Sequence, residues 1–280
     1  MNKQALHHYA TVGVNDIHGM LQSGSLAIIW SLIELQDHWD VRGPVAEIGV
    51  FRGKTFLLLC HGLRNDEIGI GVDVFGDPMG SHTDDLDIFH ANMAKYGFGR
   101  DRYRLEVGDS LSMSPADMAG LCGGNDVRLF SVDGDHGKDA VLSDLALAAG
   151  VLAPDGVIIA DDLFNPWYPT VTEAVYEFFL NDAYTVQRGD LVPVAFSTAN
   201  GPVETGAGKL MIARAPVAAA YKAGVKLLNQ DDLKHCDPFA GHEDVPTFCF
   251  GEQPRKRPLD EVMAAILDDI FPDGLGGRDG

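Results

Sequence analysis

The sequence predicts an α/β fold: a seven-stranded, mostly parallel sheet with helices on both faces and an antiparallel hairpin at its end. Three observations carry that expectation. Short apolar, β-branched runs recur at 45–50, 68–74, 103–107, 127–133 and 157–161, each of strand length. Longer stretches with helical spacing separate them, and that alternation builds parallel βαβ units with both sheet faces covered. Two further runs, 192–197 and 209–213, are joined by a Gly-rich connection too short for a crossover helix, so they pair antiparallel.

Taken in order, residues 1–40 place Ile28, Ile29, Leu32, Ile33 and Leu35 at helical spacing behind Ser23 and Ser25, which predicts one or two helices before the first strand. The strand at 45–50 runs into Glu47-Ile48-Gly49-Val50-Phe51-Arg52-Gly53-Lys54-Thr55, a glycine turn that opens a helix. After the fifth strand a helix is expected over 168–180, and after the hairpin another over 217–228. Irregular chain with Pro238, Pro246, Pro254 and Pro258 should follow, then a helix near 259–270 and a frayed Gly- and Asp-rich tail over 271–280. The organisation expected is an N-terminal helical extension (1–43), a main domain (44–216) and a C-terminal extension (217–280).

Composition narrows the function classes. With 280 residues and 46% hydrophobic content, the chain has ample material for a core. A formal net charge of −20 repels phosphate backbones and anionic lipid, which argues against nucleic-acid and membrane partners. Cys60, Cys122, Cys236 and Cys249 form no CxxC pair, so neither a disulfide framework nor a thiolate zinc site is expected, and a reducing cytoplasm fits. No apolar run approaches the roughly 18–20 residues of a membrane span. Apolar flanking helices lead to the expectation of a homo-oligomer.

Glycines between a strand and a helix let backbone approach a ligand without a Cβ in the way. The spacing Gly49-x-x-x-Gly53 fits neither Gly-x-Gly-x-x-Gly nor the P-loop, which disfavours a pyrophosphate or triphosphate. Asp73 closes the second strand, placed to accept hydrogen bonds from both hydroxyls of a ribose. Asp109, in Gly108-Asp109-Ser110, either receives an adenine amino group or caps the next helix. An adenosine-like ligand without a phosphate requirement is implied.

In these motifs residues 44–216 resemble the class I S-adenosylmethionine-dependent methyltransferases. The Glu-x-Gly-x-x-x-Gly form, joined to Val132-Asp133-Gly134-Asp135-His136 and Gly156-Val157-Ile158-Ile159-Ala160-Asp161-Asp162, looks most like the small-molecule O-methyltransferases that include macrolide-sugar and other natural-product enzymes. The resemblance implies a Rossmann-like sheet and a hydroxyl of a small molecule (sugar, phenol or polyketide) as acceptor. It also implies S-adenosylmethionine as cofactor, bound through Glu47, Gly49, Gly53, Asp73, Asp109, Ser110 and Asp133.

Asp133 ends the fourth strand and Asp161 and Asp162 the fifth, so three carboxylates converge at the ligand-binding edge of the sheet. Such charges repel, so either one is protonated or a cation lies between them. A divalent ion with oxygen ligands resolves the conflict. Metal-dependent members of the resembled family place Mg²⁺ on an acid after strand four and an acidic pair after strand five, here Asp133, Asp161 and Asp162. The ion would lower the pKa of the acceptor hydroxyl, and His136, beside Asp133 in one loop, is the expected general base. The bland alternative is that the acids cap the helices that follow and His136 makes a local hydrogen bond.

Phe164, Trp167 and Tyr168 either wall the substrate or pack the next helix, and the loop 75–85, with Pro78, Gly80 and His82, is expected to fold over it. His7, His8, His235 and His242 read as surface residues. Two competing functions are a nicotinamide-dependent oxidoreductase, weakened by the missing third glycine and by the hairpin, and a non-catalytic protein that keeps the cofactor fold.

Overall fold

A computed structural model describes residues 1–76, 84–200, 205–251 and 256–275. Helices α1 (Lys3–Thr11) and α2 (Ser23–His38) precede strand β1 (Val45–Ile48). Then come α3 (Lys54–His61), β2 (Gly69–Asp73), α4 (Asp85–Lys95), β3 (Tyr103–Val107), α5 (Pro115–Leu121), β4 (Val127–Val132), α6 (Lys138–Val151) and β5 (Leu152–Leu163). The chain continues with α7 (Pro169–Leu180), a single turn α8 (Thr185–Arg188), β6 (Leu191–Asn200), β7 (Thr205–Arg214), α9 (Ala215–Leu228), β8 (Leu233–Phe239), β9 (His242–Phe250) and α10 (Glu261–Ile270).

The strands form one sheet in the order β3-β2-β1-β4-β5-β7-β6-β9-β8. The first five are mutually parallel, and β7 runs antiparallel between β5 and β6. β1 and β4 are buried along their whole length, as strands covered on both faces must be. One apolar core joins α1, α2, α3, α4 and α9 to one face of the sheet, and a second joins α5, α6 and α7 to the other.

The expected α/β fold, its parallel strands and its 191–214 hairpin are all present, but the strand count rises from seven to nine among the described residues. The segment 233–250, expected to be irregular, is a hairpin whose β9 pairs parallel with β6. Its β8 is a polar, exposed edge strand that tolerates Pro238, and charge and proline are how edge strands avoid further pairing. Phe248 and Phe250 alternate inward from β9 and are fully buried. Residues 77–83 of the expected lid loop, residues 201–204 of the hairpin connection, Pro254 and the last part of the tail (276–280) lie outside the described residues. Among the described residues no helix is long and apolar enough to cross a membrane.

Candidate active site

Register places the site. Ile48 pairs with Val72 on one side and Val132 on the other, and Val132 pairs with Ala160. The next position on each strand is therefore Asp73, Gly49, Asp133 and Asp161 across β2, β1, β4 and β5, at strand spacings of about 4.8 Å. One edge thus carries both the expected cofactor residues and the acids.

Gly49 has φ +86, and a Cβ there would lie 1.8 Å from the carbonyl oxygen of Asp133. The space a side chain would need is filled by the neighbouring strand end rather than by a ligand, so glycine is demanded by the fold itself. Gly53, at φ +87, caps α3 in the left-handed conformation. Asp73 Oδ2 accepts the Phe51 N–H at 2.7 Å and Oδ1 accepts the Phe75 N–H at 2.7 Å. Both donors belong to residues with positive φ, 46° and 45°, so Asp73 holds two strained turns as well as facing the edge. Burial raises its pKa, and the two backbone N–H groups oppose that rise. Asp109 is exposed, and its Oδ1 accepts the Leu111 N–H at 2.9 Å, capping the short turn that starts at Ser110.

Glu47 is 1% exposed, and neither carboxylate oxygen meets a hydrogen-bond partner among the described residues. Burial pushes its pKa up to about 8. It lines a cavity of about 480 Å³ together with Gly49, Phe51, Lys54 and Asp133, under an overhang formed by His18, Gly19 and Met20. Lys54 Nζ donates to the Gly19 carbonyl at 2.9 Å, fastening that overhang to α3. Sequence reasoning missed His18 and Lys54 as cavity residues; Lys54 stood inside the glycine motif, whereas His18 carried no signal.

At the other end of the edge the three acids do not stand alone. Lys209, one position beyond the Ala160–Leu210 pair on β7, is 2% exposed and bonds Asp161 Oδ2 through Nζ, with Asp133 Oδ2 3.8 Å away. Burial alone would lower its pKa, but the two carboxylates outweigh burial and raise it. Burial raises Asp133 well above the ordinary carboxylate range, and the neighbouring Asp161 adds to the shift. The cation required between these acids is thus supplied in part by the chain. Its signal was a lone lysine opening the apolar run Lys209-Leu210-Met211-Ile212-Ala213, where a buried charge needs a partner.

Asp162 faces elsewhere. Its Oδ2 lies 2.7 Å from His136 Nε2, and its Oδ1 accepts from Asn165 Nδ2 at 2.8 Å. Burial pulls its pKa up, but these hydrogen bonds hold it below the ordinary value, and the same bond raises His136. Tyr168 stacks on the His136 ring at 3.8 Å with an interplanar angle of 9°, and Thr170 Oγ1 donates to the His136 carbonyl at 2.7 Å. Asp133, His136 and Asp162 bring ligand atoms within 4.8 Å of one another. Asp161, expected as a third metal ligand, turns to Lys209 instead. Trp167 is 83% exposed, so among the expected aromatic residues it packs least.

Residues 46–163 match a family model described as a methyltransferase domain. No curated protein matches the chain. Among solved structures, the O-methyltransferase NovP superposes with a TM-score of 0.53 at 19% identity, over 70% of this chain and 83% of that one. TomG from Streptomyces achromogenes, an O-methyltransferase in complex with SAM, gives 0.51 at 16% identity over 76% and 91%. The O-methyltransferase from Bacillus cereus, in complex with SAH, gives 0.52 at 14% identity over 76% and 92%. The register of acids along one sheet edge and these likenesses agree: residues 46–163 match a methyltransferase-domain model, and the chain has the fold of these O-methyltransferase structures.

Proposed function

We propose that the protein transfers the methyl group of S-adenosylmethionine to a hydroxyl of a small molecule. The observation that carries this reading is the buried, unpartnered Glu47 carboxylate on the wall of the 480 Å³ cavity, beside Asp133 and in line with Asp73. Burial keeps this acid protonated up to about pH 8 against the pull of Lys209 and the Ser131 hydroxyl, and a cationic ligand in the cavity would favour its charged form. S-adenosylmethionine carries an ammonium and a sulfonium, with a ribose for Asp73, whereas the nicotinamide cofactors bring a pyrophosphate that two further carboxylates would repel.

The acceptor end is the His136–Asp162 pair. With the Nε2 proton donated to Asp162, Nδ1 keeps the lone pair, and a histidine oriented by a carboxylate is suited to take a hydroxyl proton. Stacking on Tyr168 fixes the ring plane for that transfer. A divalent ion fits the acids with a donor set altered from the expected one: Asp133 and Asp162 would hold it, with His136 in reach, because Lys209 already neutralises Asp161. When bound, such an ion supplies a Lewis acid that lowers the pKa of the acceptor hydroxyl.

Calorimetry tests the reading. S-adenosylhomocysteine should bind the wild type and NAD should not, and Glu47→Gln should weaken the binding of S-adenosylhomocysteine by roughly 10-fold or more, the scale of a charge-assisted hydrogen bond. His136→Ala should cut turnover by roughly 10²- to 10⁴-fold with cofactor affinity unchanged. Preferential binding of NAD would overturn the assignment.

A further inference from the structure

A second cavity, of about 350 Å³, lies between the end of β5 and the β8–β9 hairpin. Phe164, Tyr176, Phe196 and Phe239 wall it, with ring centroids 4.7 Å apart for Phe196–Phe239 and Tyr176–Phe239 and 5.7 Å for Phe164–Phe196. Its rim carries the His235–Asp237 pair, 2.8 Å apart. The cavity continues the candidate active site along the chain. Phe164 follows Asp162 by two residues, so their Cα atoms lie within about 8 Å. Gly208, also in the wall, directly precedes Lys209 and pairs with Leu163.

The backbone at this junction is built to aim the ring. Asp162 and Phe164 both have positive φ, 60° and 59°, which non-glycine residues adopt only at a cost. The Phe164 N–H is held by Thr172 Oγ1 at 2.8 Å, and Phe164 is half exposed although it sits among other rings. Two strained residues thus hold a half-exposed aromatic ring between the acids and an aromatic cavity.

We propose that this cavity receives a ring-bearing, apolar part of the methyl acceptor while its hydroxyl lies at His136 and Asp162, so that the acceptor is an aromatic or fused-ring alcohol or phenol rather than a free sugar. The inference rests on the reading of His136 and Asp162 as the acceptor end. Four rings make the apolar wall and stack on planar groups, while Ser197, Thr198, Thr247 and the His235–Asp237 pair are the polar groups of the lining, and a cavity of this volume stands at the small end of ligand sites. The hairpin that completes it lies outside the 46–163 match.

The test uses the full chain saturated with S-adenosylhomocysteine and titrates 2,3-dihydroxynaphthalene and methyl α-glucoside, with binding read by ligand-detected NMR. Thr247→Phe, from β9 on the cavity wall, fills the pocket, and Phe164→Ala removes the aimed ring. The naphthalenediol should bind the wild type, bind Thr247→Phe at least 10-fold more weakly and Phe164→Ala at least 3-fold more weakly, while the glucoside does not bind. Affinity for S-adenosylhomocysteine should stay within 2-fold in both variants, which also shows that they fold. No diol binding to the wild type, diol affinity unchanged in both variants, or preference for the glucoside overturns the proposal. Failure of the methyltransferase reading would appear separately, as loss of S-adenosylhomocysteine binding by the wild type.

Discussion

Asp73 joins an observed duty, holding two backbone turns, to its proposed role at the ligand edge. Each oxygen already accepts one backbone N–H, and each keeps a second lone pair. Asp73→Asn keeps the shape but replaces one acceptor by a donor facing a donor, so cofactor affinity should fall by on the order of 10-fold. The melting temperature should fall as well, because the turns at Phe51 and Phe75 lose their anchor; scanning calorimetry and cofactor titration read the two effects separately. Glu47 gives a different signature. In the folded chain its carboxyl keeps a proton up to about pH 8, and in the unfolded chain only to the ordinary 4.5. Between those values the folded state binds more protons, so the stability of the cofactor-free protein should fall as pH rises from 4.5 towards 8, by about a few kcal/mol, and level off above. Glu47→Gln should make that fall shallower by removing the share of Glu47. A melting temperature that follows the same pH course in both proteins would sink the assignment.

At the scale of elements, Lys209 on β7 is the cation that ties the end of β5 to β4 through Asp161 and Asp133. Lys209→Met leaves two partly buried carboxylates without their buried counter-charge, and removing one partner of a buried pair costs about 3–5 kcal/mol. Thermal unfolding should drop by roughly 6–10 °C; a change within 1 °C would mean the acids find another partner. The strand ends were legible from sequence because parallel strands buried on both faces are continuous apolar runs that stop at a charged residue. That rule places Asp73, Asp133 and Asp161 at strand ends, and their common edge follows from the parallel register. What it could not reveal was side-chain direction. Asp161 and Asp162 are adjacent, yet the positive φ at Asp162 turns one towards Lys209 and the other towards His136. Gly49 was legible as a required glycine, but its requirement comes from the Asp133 carbonyl, a contact between strands 84 residues apart in sequence. The β8–β9 hairpin escaped because prolines and charges mark an edge strand and a loop alike.

Across the whole molecule, the terminal segments share the core of the sheet they flank. Leu6 and Tyr9 of α1, Ile29 and Leu32 of α2, Tyr221 of α9, Phe248 and Phe250 of β9 and Leu267 of α10 lie in one apolar cluster with Val45 and Leu129. The contact between α2 and β9 is close enough to select glycine: a Cβ at Gly24 would lie 2.6 Å from Phe250 Cδ2. A C-terminal part joined in this way should unfold together with the parallel strands of the sheet rather than ahead of them. Phe250→Ala removes a fully buried ring and should cost about 3–5 kcal/mol, as ring deletions in a core do. If the cluster is one cooperative unit, calorimetry of the variant should show a single transition moved down by roughly 6–10 °C, as Phe130→Ala in central β4 should also do. Were β8 and β9 an appendage, Phe250→Ala would instead split off a small low-temperature transition and leave the main one where it was. Cofactor binding sharpens the distinction, since S-adenosylhomocysteine at the proposed site on the β1–β4 edge should stabilise whatever unfolds with that edge. In the cooperative case saturating ligand should raise the single transition of Phe250→Ala by as many degrees as it raises the wild type.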